Sequence, residues 1–408
     1  MSTHHEHPTP SSGNGNGPQP VGVTGPRGFR ASGVAAGIKE GGRPDLALVV
    51  NDGPRREATG LFTTNRVKAA PVLWSEQVLR ERRLRAVVLN SGGANACTGP
   101  EGFRDTHSTA ERVAGELGTG AIEVAVCSTG LIGQRLPMEA LLSGVSTAAG
   151  ELSDSGRAAE DAATAILTTD SGPKQAFVRH PSGFSVGAMV KGAGMIAPNL
   201  ATMLAVLTTD AVAEPDVLDE ALRRAAATTF ERLDVDGGTS TNDTVLLLSS
   251  GASGVAVDTD ELTGILTETC AELVRHLQYD AEGATKAVDV TVRGAVREAD
   301  AVRIARVVAE DNLVGTALFG SDPNWGRIAM AAGRALADTD TDAEAMEIAL
   351  NGVTLYSAGV PVAEREVVDL SGREVEIVID LRSGPHEATV YTTDLSHGYV
   401  EENSAYSS

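Results

Sequence analysis

Two short strings carry the residue types that acyl chemistry needs. The first runs from Lys191-Gly192-Ala193-Gly194 through Pro198 to Ala201-Thr202-Met203, a glycine-rich loop feeding an apolar stretch with a threonine at the junction. A threonine hydroxyl is a weak nucleophile until a base takes its proton, and cutting the preceding peptide bond frees the residue's own α-amine for that task. An α-amine has a reference pKa of about 7.7–8, far nearer neutrality than a lysine. Thr202 Oγ could make the cut itself by attacking the Ala201 carbonyl, an N-to-O shift whose ester water then opens. Such a shift needs an exposed or strained carbonyl, which a loop-to-strand junction after Pro198 can supply. The β-branched side chain would hold the hydroxyl stiffly on target. The second string is Cys127-Ser128-Thr129-Gly130. Gly130 can present a backbone N–H and Thr129 a hydroxyl, two donors suited to an oxyanion. On pattern alone the plainer readings stand ahead of both: a glycine turn before a core strand that happens to begin with threonine, and an ordinary strand-ending turn.

Such residues need elements to position them. Asp45–Val50, Arg85–Asn90 and the start of Ala121–Gly133 read as short apolar strands, the last running into Ser-Thr-Gly. Helical spacing marks 101–118, 138–152 and 157–167. A helix is expected over 214–233, with Pro215 suited to its first turn. Thr244–Gly251 reads as a buried strand. Residues 260–278 place Leu262, Ile265, Leu266, Leu273 and Leu277 on one stripe, with Cys270 among them. A break falls near 279–287. Beyond it come the alternating strand 288–296, a helix over 300–311, the loop 320–327 and another helix. Val375, Ile377, Ile379 and Leu381 share one face of a strand, expected to pair with 387–395 through the Ser383-Gly384-Pro385 turn. The class is α/β (α+β). The expected divisions are a disordered tail over 1–20, a large α/β domain over 21–286 and a smaller C-terminal α/β domain over 287–408.

Composition narrows the chemistry. The 408 residues are 42% apolar and carry 55 acidic against 33 basic side chains, a net charge of −22. That disfavours a nucleic-acid partner, which needs basic stripes, but leaves room for a few cations around a small anion. Cys97, Cys127 and Cys270 are far apart and form no C-x-x-C pair, which argues against a zinc site or a disulfide framework. His4, His5 and His7 sit in a polar tail without a metal-site spacing, so no metal is expected. No P-loop, no hydrolase nucleophile elbow and no complete dinucleotide fingerprint is read, which makes a cofactor-free enzyme the first hypothesis. No signal-peptide core and no 18-residue apolar span is present; the expectation is a cytoplasmic protein without a membrane partner.

The motifs in order settle which reading of Thr202 to prefer. "GFRASGVAAGIK" (28–39), "GLFTTNRVKAAPV" (60–72), "NSGGANACTG" (90–99), "CSTGLIG" (127–133) and "TTDSGPK" (168–174) precede "KGAGMIAPNLATML" (191–204). "DGGTSTNDT" (236–244), "DAEGATK" (280–286), "DPNWGRI" (322–328) and "YVEENSAYSS" (399–408) follow it. With these ten motifs the chain resembles the ornithine acetyltransferases, the self-cleaving glutamate N-acetyltransferases of arginine biosynthesis. The resemblance implies a layered αββα-like sandwich followed by the smaller domain. It implies a cut between Ala201 and Thr202, giving an alpha chain 1–201 and a beta chain 202–408 that assemble as an α2β2 heterotetramer. It implies a ping-pong cycle in which Thr202 takes the acetyl group of N-acetylornithine and passes it to glutamate, with acetyl-CoA as a further donor in many members. Thr129 and Gly130 match the oxyanion hole; Thr168, Lys191, Thr202, Glu282, Asn403 and Ser408 match substrate-binding positions. In that setting Lys191 is a cation for a carboxylate, Glu282 an anion for an ammonium group, and the chain end is expected to dock into the site.

Four positions depart from the family pattern. Gly93 stands for Asn, Gly238 for Asp, Gly315 for Lys and Ala281 for Gly. They leave open a paralogue of specialised metabolism or a catalytically silent homologue. A self-cleaving amidase or aminopeptidase, with water as acceptor, is the alternative enzyme.

Overall fold

Three sheets organise the chain; the strands of the first two interleave along the sequence, and the third is built from the strands that follow. The computed structural model describes residues 22–195, 203–337, 339, 341–342 and 344–405. The expected tail over 1–20, with its three histidines, lies outside these. The first sheet has the order β1 (Phe29–Val34), β2 (Leu46–Asn51), β4 (Ala86–Asn90), β5 (Val124–Ser128). The second has the order β3 (Ala58–Phe62), β9 (Thr244–Ser249), β8 (Leu204–Thr209), β7 (Ser185–Lys191), β6 (Lys174–Arg179).

Every residue of β2, β4, β5, β8 and β9 is buried. That explains why these strands read as unbroken apolar runs rather than alternating ones. Helices α1 (Ala70–Val78), α2 (Gly99–Leu117), α3 (Met138–Gly150) and α4 (Gly156–Ala165) pack with the first sheet. Their shared core also takes in Met189, Leu204, Val206, Leu246 and Leu248 from one face of the second sheet. The opposite face, with Ala205, Leu207, Val245 and Leu247, packs on α5 (Pro215–Thr228) and α6 (Thr259–Tyr279). The layers therefore run helix, sheet, sheet, helix. Local chemistry fixes the ends: Pro215 opens α5, and Asp258 with Glu261 forms a reciprocal capping box on α6.

The third sheet has the order β13 (Val360–Pro361), β12 (Val353–Ser357), β11 (Glu347–Leu350), β14 (Glu374–Asp380), β10 (Ala287–Ala295), β15 (His386–Thr393). Val288, Val290 and Val292 of β10 share a core with α7 (Glu298–Ala309), α8 (Asn312–Phe319) and α9 (Trp325–Leu336). The buried Gln278 amide at the end of α6 donates to the carbonyls of Val288 and Thr392, binding α6 to this sheet. The last described helix is α10 (His397–Ala405).

The mixed α/β class is as expected, but two details differ. β14 and β15 do not pair as a hairpin. β10 lies between them, parallel to β14 and antiparallel to β15. The connecting turn straddles the end of β10, with the N–H groups of Ser383 and Gly384 both donating to the Gly294 carbonyl. Helix α5 stops at Thr228 rather than continuing to 233, because Thr229 leaves helical geometry at φ −126°, ψ −90° and a short 3-10 turn follows.

Candidate active site

Thr129 and Gly130 follow directly on β5. The Thr129 N–H donates to the Asn90 carbonyl at 3.0 Å, so the hydroxyl is what Thr129 has left to offer. Gly130 has φ +125°, and a Cβ there would lie 2.6 Å from the backbone of Gly92 and Gly93. Only glycine fits this turn. Across it, the Asn242 amide donates to the carbonyls of Ala94 (2.7 Å) and Ser128 (2.8 Å). One side chain thus fastens the 90s loop and the end of β5 to the loop before β9.

Lys191 is the last residue of β7 and is 2% exposed. Its ammonium donates to Thr168 Oγ1 at 2.7 Å and to Thr129 Oγ1 at 3.4 Å. Asp170 Oδ2 lies 3.9 Å from it. Burial pulls the Lys191 pKa down from its ordinary value, and the Asp170 charge opposes that pull. For Asp170 burial works toward a higher pKa, but the charges of Lys191 and Lys174 and the Gly192 N–H hold it well below the usual carboxylate range.

Glu282 sits in the loop between α6 and β10, and its N–H donates to the Ala193 carbonyl at 2.9 Å. Asn403 of α10 donates to Glu282 Oε2 at 2.9 Å. Gly194 lies directly beneath that carboxylate: a Cβ there would come within 2.2 Å of Oε2, so a larger residue would push the Glu282 side chain aside.

These residues meet around one open pocket. Thr129, Gly130, Thr168, Lys191, Glu282 and Asn403 all line it, with Ser240, Thr241 and Asn242 on a further wall. Ala201, Thr202 and Ser408 lie outside the described residues. Met203, the first residue described after them, is held from both sides. Its N–H donates to Asp243 Oδ1 at 3.0 Å and its carbonyl accepts from the Thr244 N–H at 3.0 Å. Asp243 is buried, and burial keeps its pKa well above the ordinary value; among the described residues its other oxygen has no hydrogen-bond partner.

Reading the sequence missed Asp170, Asn242 and Asp243 as parts of the site. All three stood inside motifs quoted for other reasons, and short polar residues flanking strands gave no cue to burial. The string Gly183-Phe184-Ser185-Val186-Gly187 does have G-x-S-x-G spacing. It spans the turn between β6 and β7, however, not a strand-to-helix elbow, and the Ser185 N–H is tied to Asp210. Among the described residues no cluster of three or more His, Cys, Asp or Glu could hold a metal ion.

A model described as the ArgJ family matches residues 30–408. The arginine biosynthesis bifunctional protein ArgJ of Mycolicibacterium paratuberculosis is 59% identical over 392 residues, covering 95% of this chain and 96% of its own. The protein of the same name from Streptomyces coelicolor is 56% identical over 388 residues, covering 95% and 100%. A solved structure of ornithine acetyltransferase complexed with ornithine, from Mycobacterium tuberculosis, is 61% identical over 44% of this chain and 96% of that chain, with a TM-score of 0.44.

Proposed function

The chain belongs to the ArgJ family, and from that premise we propose that it is a glutamate N-acetyltransferase that moves the acetyl group of N2-acetylornithine to glutamate. One observation carries the reading: six of the residues assigned to the reaction line a single pocket although they come from five separate segments of the chain.

The chemistry runs through Thr202. A cut between Ala201 and Thr202 frees its α-amine, which takes the Oγ proton as Oγ attacks the acetyl carbonyl. The resulting oxyanion faces the Thr129 hydroxyl and the Gly130 N–H. The tetrahedral centre collapses, the C–N bond breaks, and ornithine leaves with the proton the amine held. The glutamate amine then attacks the acetyl-threonine ester, the threonine oxygen recovers a proton, and N-acetylglutamate departs. Glu282 suits an ammonium group of the substrate, with Asn403 and Ser408 as neutral partners. No metal or cofactor is assigned to these steps, and acetyl-CoA enters only as an alternative donor. The fragments 1–201 and 202–408 are assigned to an α2β2 assembly in the cytoplasm. Among the described residues no helix is long and apolar enough to cross a membrane.

The test is acyl transfer to glutamate from N-acetylornithine and, separately, from acetyl-CoA. Purified protein is expected as two fragments, the second beginning at Thr202, with an acetyl adduct on that fragment when donor is present. Thr202→Ala is expected to stay uncut and inactive. Activity in an intact single chain, or normal processing of Thr202→Ala, would sink the mechanism. Acetate release from N-acetylornithine without glutamate would mark an amidase instead.

A further inference from the structure

A line of charge, buried except at its Asp280 end, runs from the loop after α6 to the pocket. Asp280 accepts from Lys174 at 2.5 Å, and Lys174 donates onward to Asp170 at 2.7 Å. Asp170 also accepts the Gly192 N–H at 2.7 Å and the Thr168 N–H at 3.1 Å. Its side chain is fully buried. It therefore touches the backbone on either side of the pocket floor, and it is the only carboxylate within 4 Å of the Lys191 ammonium among the described residues.

An ammonium group has three donors and no acceptor. When Lys191 donates to the hydroxyl oxygens of Thr168 and Thr129, neither hydroxyl can return its proton to the lysine. Both protons are free to point elsewhere, and both side chains line the pocket. A cation buried in this way binds little through direct contact. Its effect is to occupy an acceptor site on two neutral hydroxyls and leave their protons available to the pocket.

Resting on the acetyltransferase reading above, we propose that Asp170 is a positioning residue: it holds Lys191 so that the ammonium donates to Thr168 and Thr129, and both hydroxyls aim their protons into the pocket where the oxyanion forms. Lys191 then serves oxyanion stabilisation more than carboxylate binding, and its loss affects turnover more than substrate affinity.

The arrangement is pH-dependent. The charged groups facing Lys191 are Asp170 from the loop before β6, Lys174 from β6, Glu282 from the loop after α6 and Asp243 from the loop before β9. Lys39, from the loop after β1, also feels its charge. Burial already favours loss of the Lys191 proton, so Asp170→Asn removes the main opposing charge and lets that proton leave at lower pH. Lys174 keeps Asp280 as its partner in this variant, so Lys191 is the lysine that is stranded.

The experiment is the pH profile of acetyl transfer from N-acetylornithine to glutamate by full-chain, processed protein. For Asp170→Asn the alkaline limb of kcat is expected about one pH unit or more lower, with kcat down about tenfold at pH 8 and KM changed far less. Asp170→Glu should restore part of the limb. Asp170→Asn/Lys191→Met should be no slower than Lys191→Met alone, because both act through one group. An unmoved limb, or an effect confined to KM, would overturn the proposal. If Asp170→Asn fails to fold, the paired variant decides the matter, since it strands no ammonium. A native-like melt with the kcat of Lys191→Met supports the proposal, and failure of this variant too makes Asp170 merely structural. Wild-type protein that transfers no acetyl group at all would refute the parent reading instead.

Discussion

The Asn403 amide and the Glu282 carboxylate meet at 2.9 Å, joining the last described helix to the loop that leaves α6. Asn403 is exposed, and its amide also donates to the Tyr399 carbonyl of its own helix at 3.0 Å. Asn403→Ala is expected to raise KM about fivefold, the worth of about 1 kcal/mol for one hydrogen bond. kcat and the melting temperature should hardly change. Steady-state kinetics alongside a thermal melt separates the two.

Gly130 is constrained by both conformation and space. Gly130→Ala forces a side chain into φ +125° and against the backbone of Gly92 and Gly93. Neither obstacle is a flexible side chain, so the turn itself must move. A stability loss of about 1–3 kcal/mol is expected, with a larger fall in kcat than in donor affinity. Urea denaturation and acetyl-transfer kinetics on the same sample check it.

Asn242 holds two buried carbonyls at once. Asn242→Ala removes that donor from both, at about 1–3 kcal/mol for each group left unsatisfied. Asn242→Asp is expected to be worse, because a carboxylate would face the two carbonyl oxygens. Melting temperatures falling in the order wild type, alanine, aspartate would bear this out; equal values would count against it.

Asp234 follows the short 3-10 turn after α5 and lies against the third sheet, its N–H donating to the Tyr391 carbonyl. Burial, then the neighbouring Glu310 carboxyl, pushes its pKa up to about 8. A carboxyl with a higher pKa in the folded chain binds its proton more tightly there. That stabilisation is complete below the unfolded value near 3.8 and is lost as pH rises through about 8. Asp234→Asn is therefore expected to raise the melting temperature at pH 8.5, with a gain that shrinks toward pH 4.

Much of this is legible in the sequence. Buried strands such as β4 and β9 announce themselves because each residue faces a core, and α6 does so by its stripe. Strands β6 and β7 gave no such signal, since glycine and polar residues interrupt them. β14 and β15 read as a hairpin in sequence because a short turn joins two alternating segments. Only the third dimension reveals that β10 intervenes. The candidate site was legible as motifs, yet its supports were not. Asp170 and Asp243 read as loop acids, and burial is a property of what surrounds a residue rather than of its neighbours in sequence.

The order of the second sheet has a consequence for a chain cut between Ala201 and Thr202. β3, β6 and β7 precede the cut; β8 and β9 follow it. The order β3-β9-β8-β7-β6 places the two later strands inside the three earlier ones. Two ladders, of five and six residue pairs, then cross between fragments. Neither piece could leave without opening the sheet at its centre. Severing the backbone would leave the fold's contacts in place but change its molecularity. Unfolding would release two bodies instead of one, and stability would acquire a dependence on protein concentration that the uncut chain lacks.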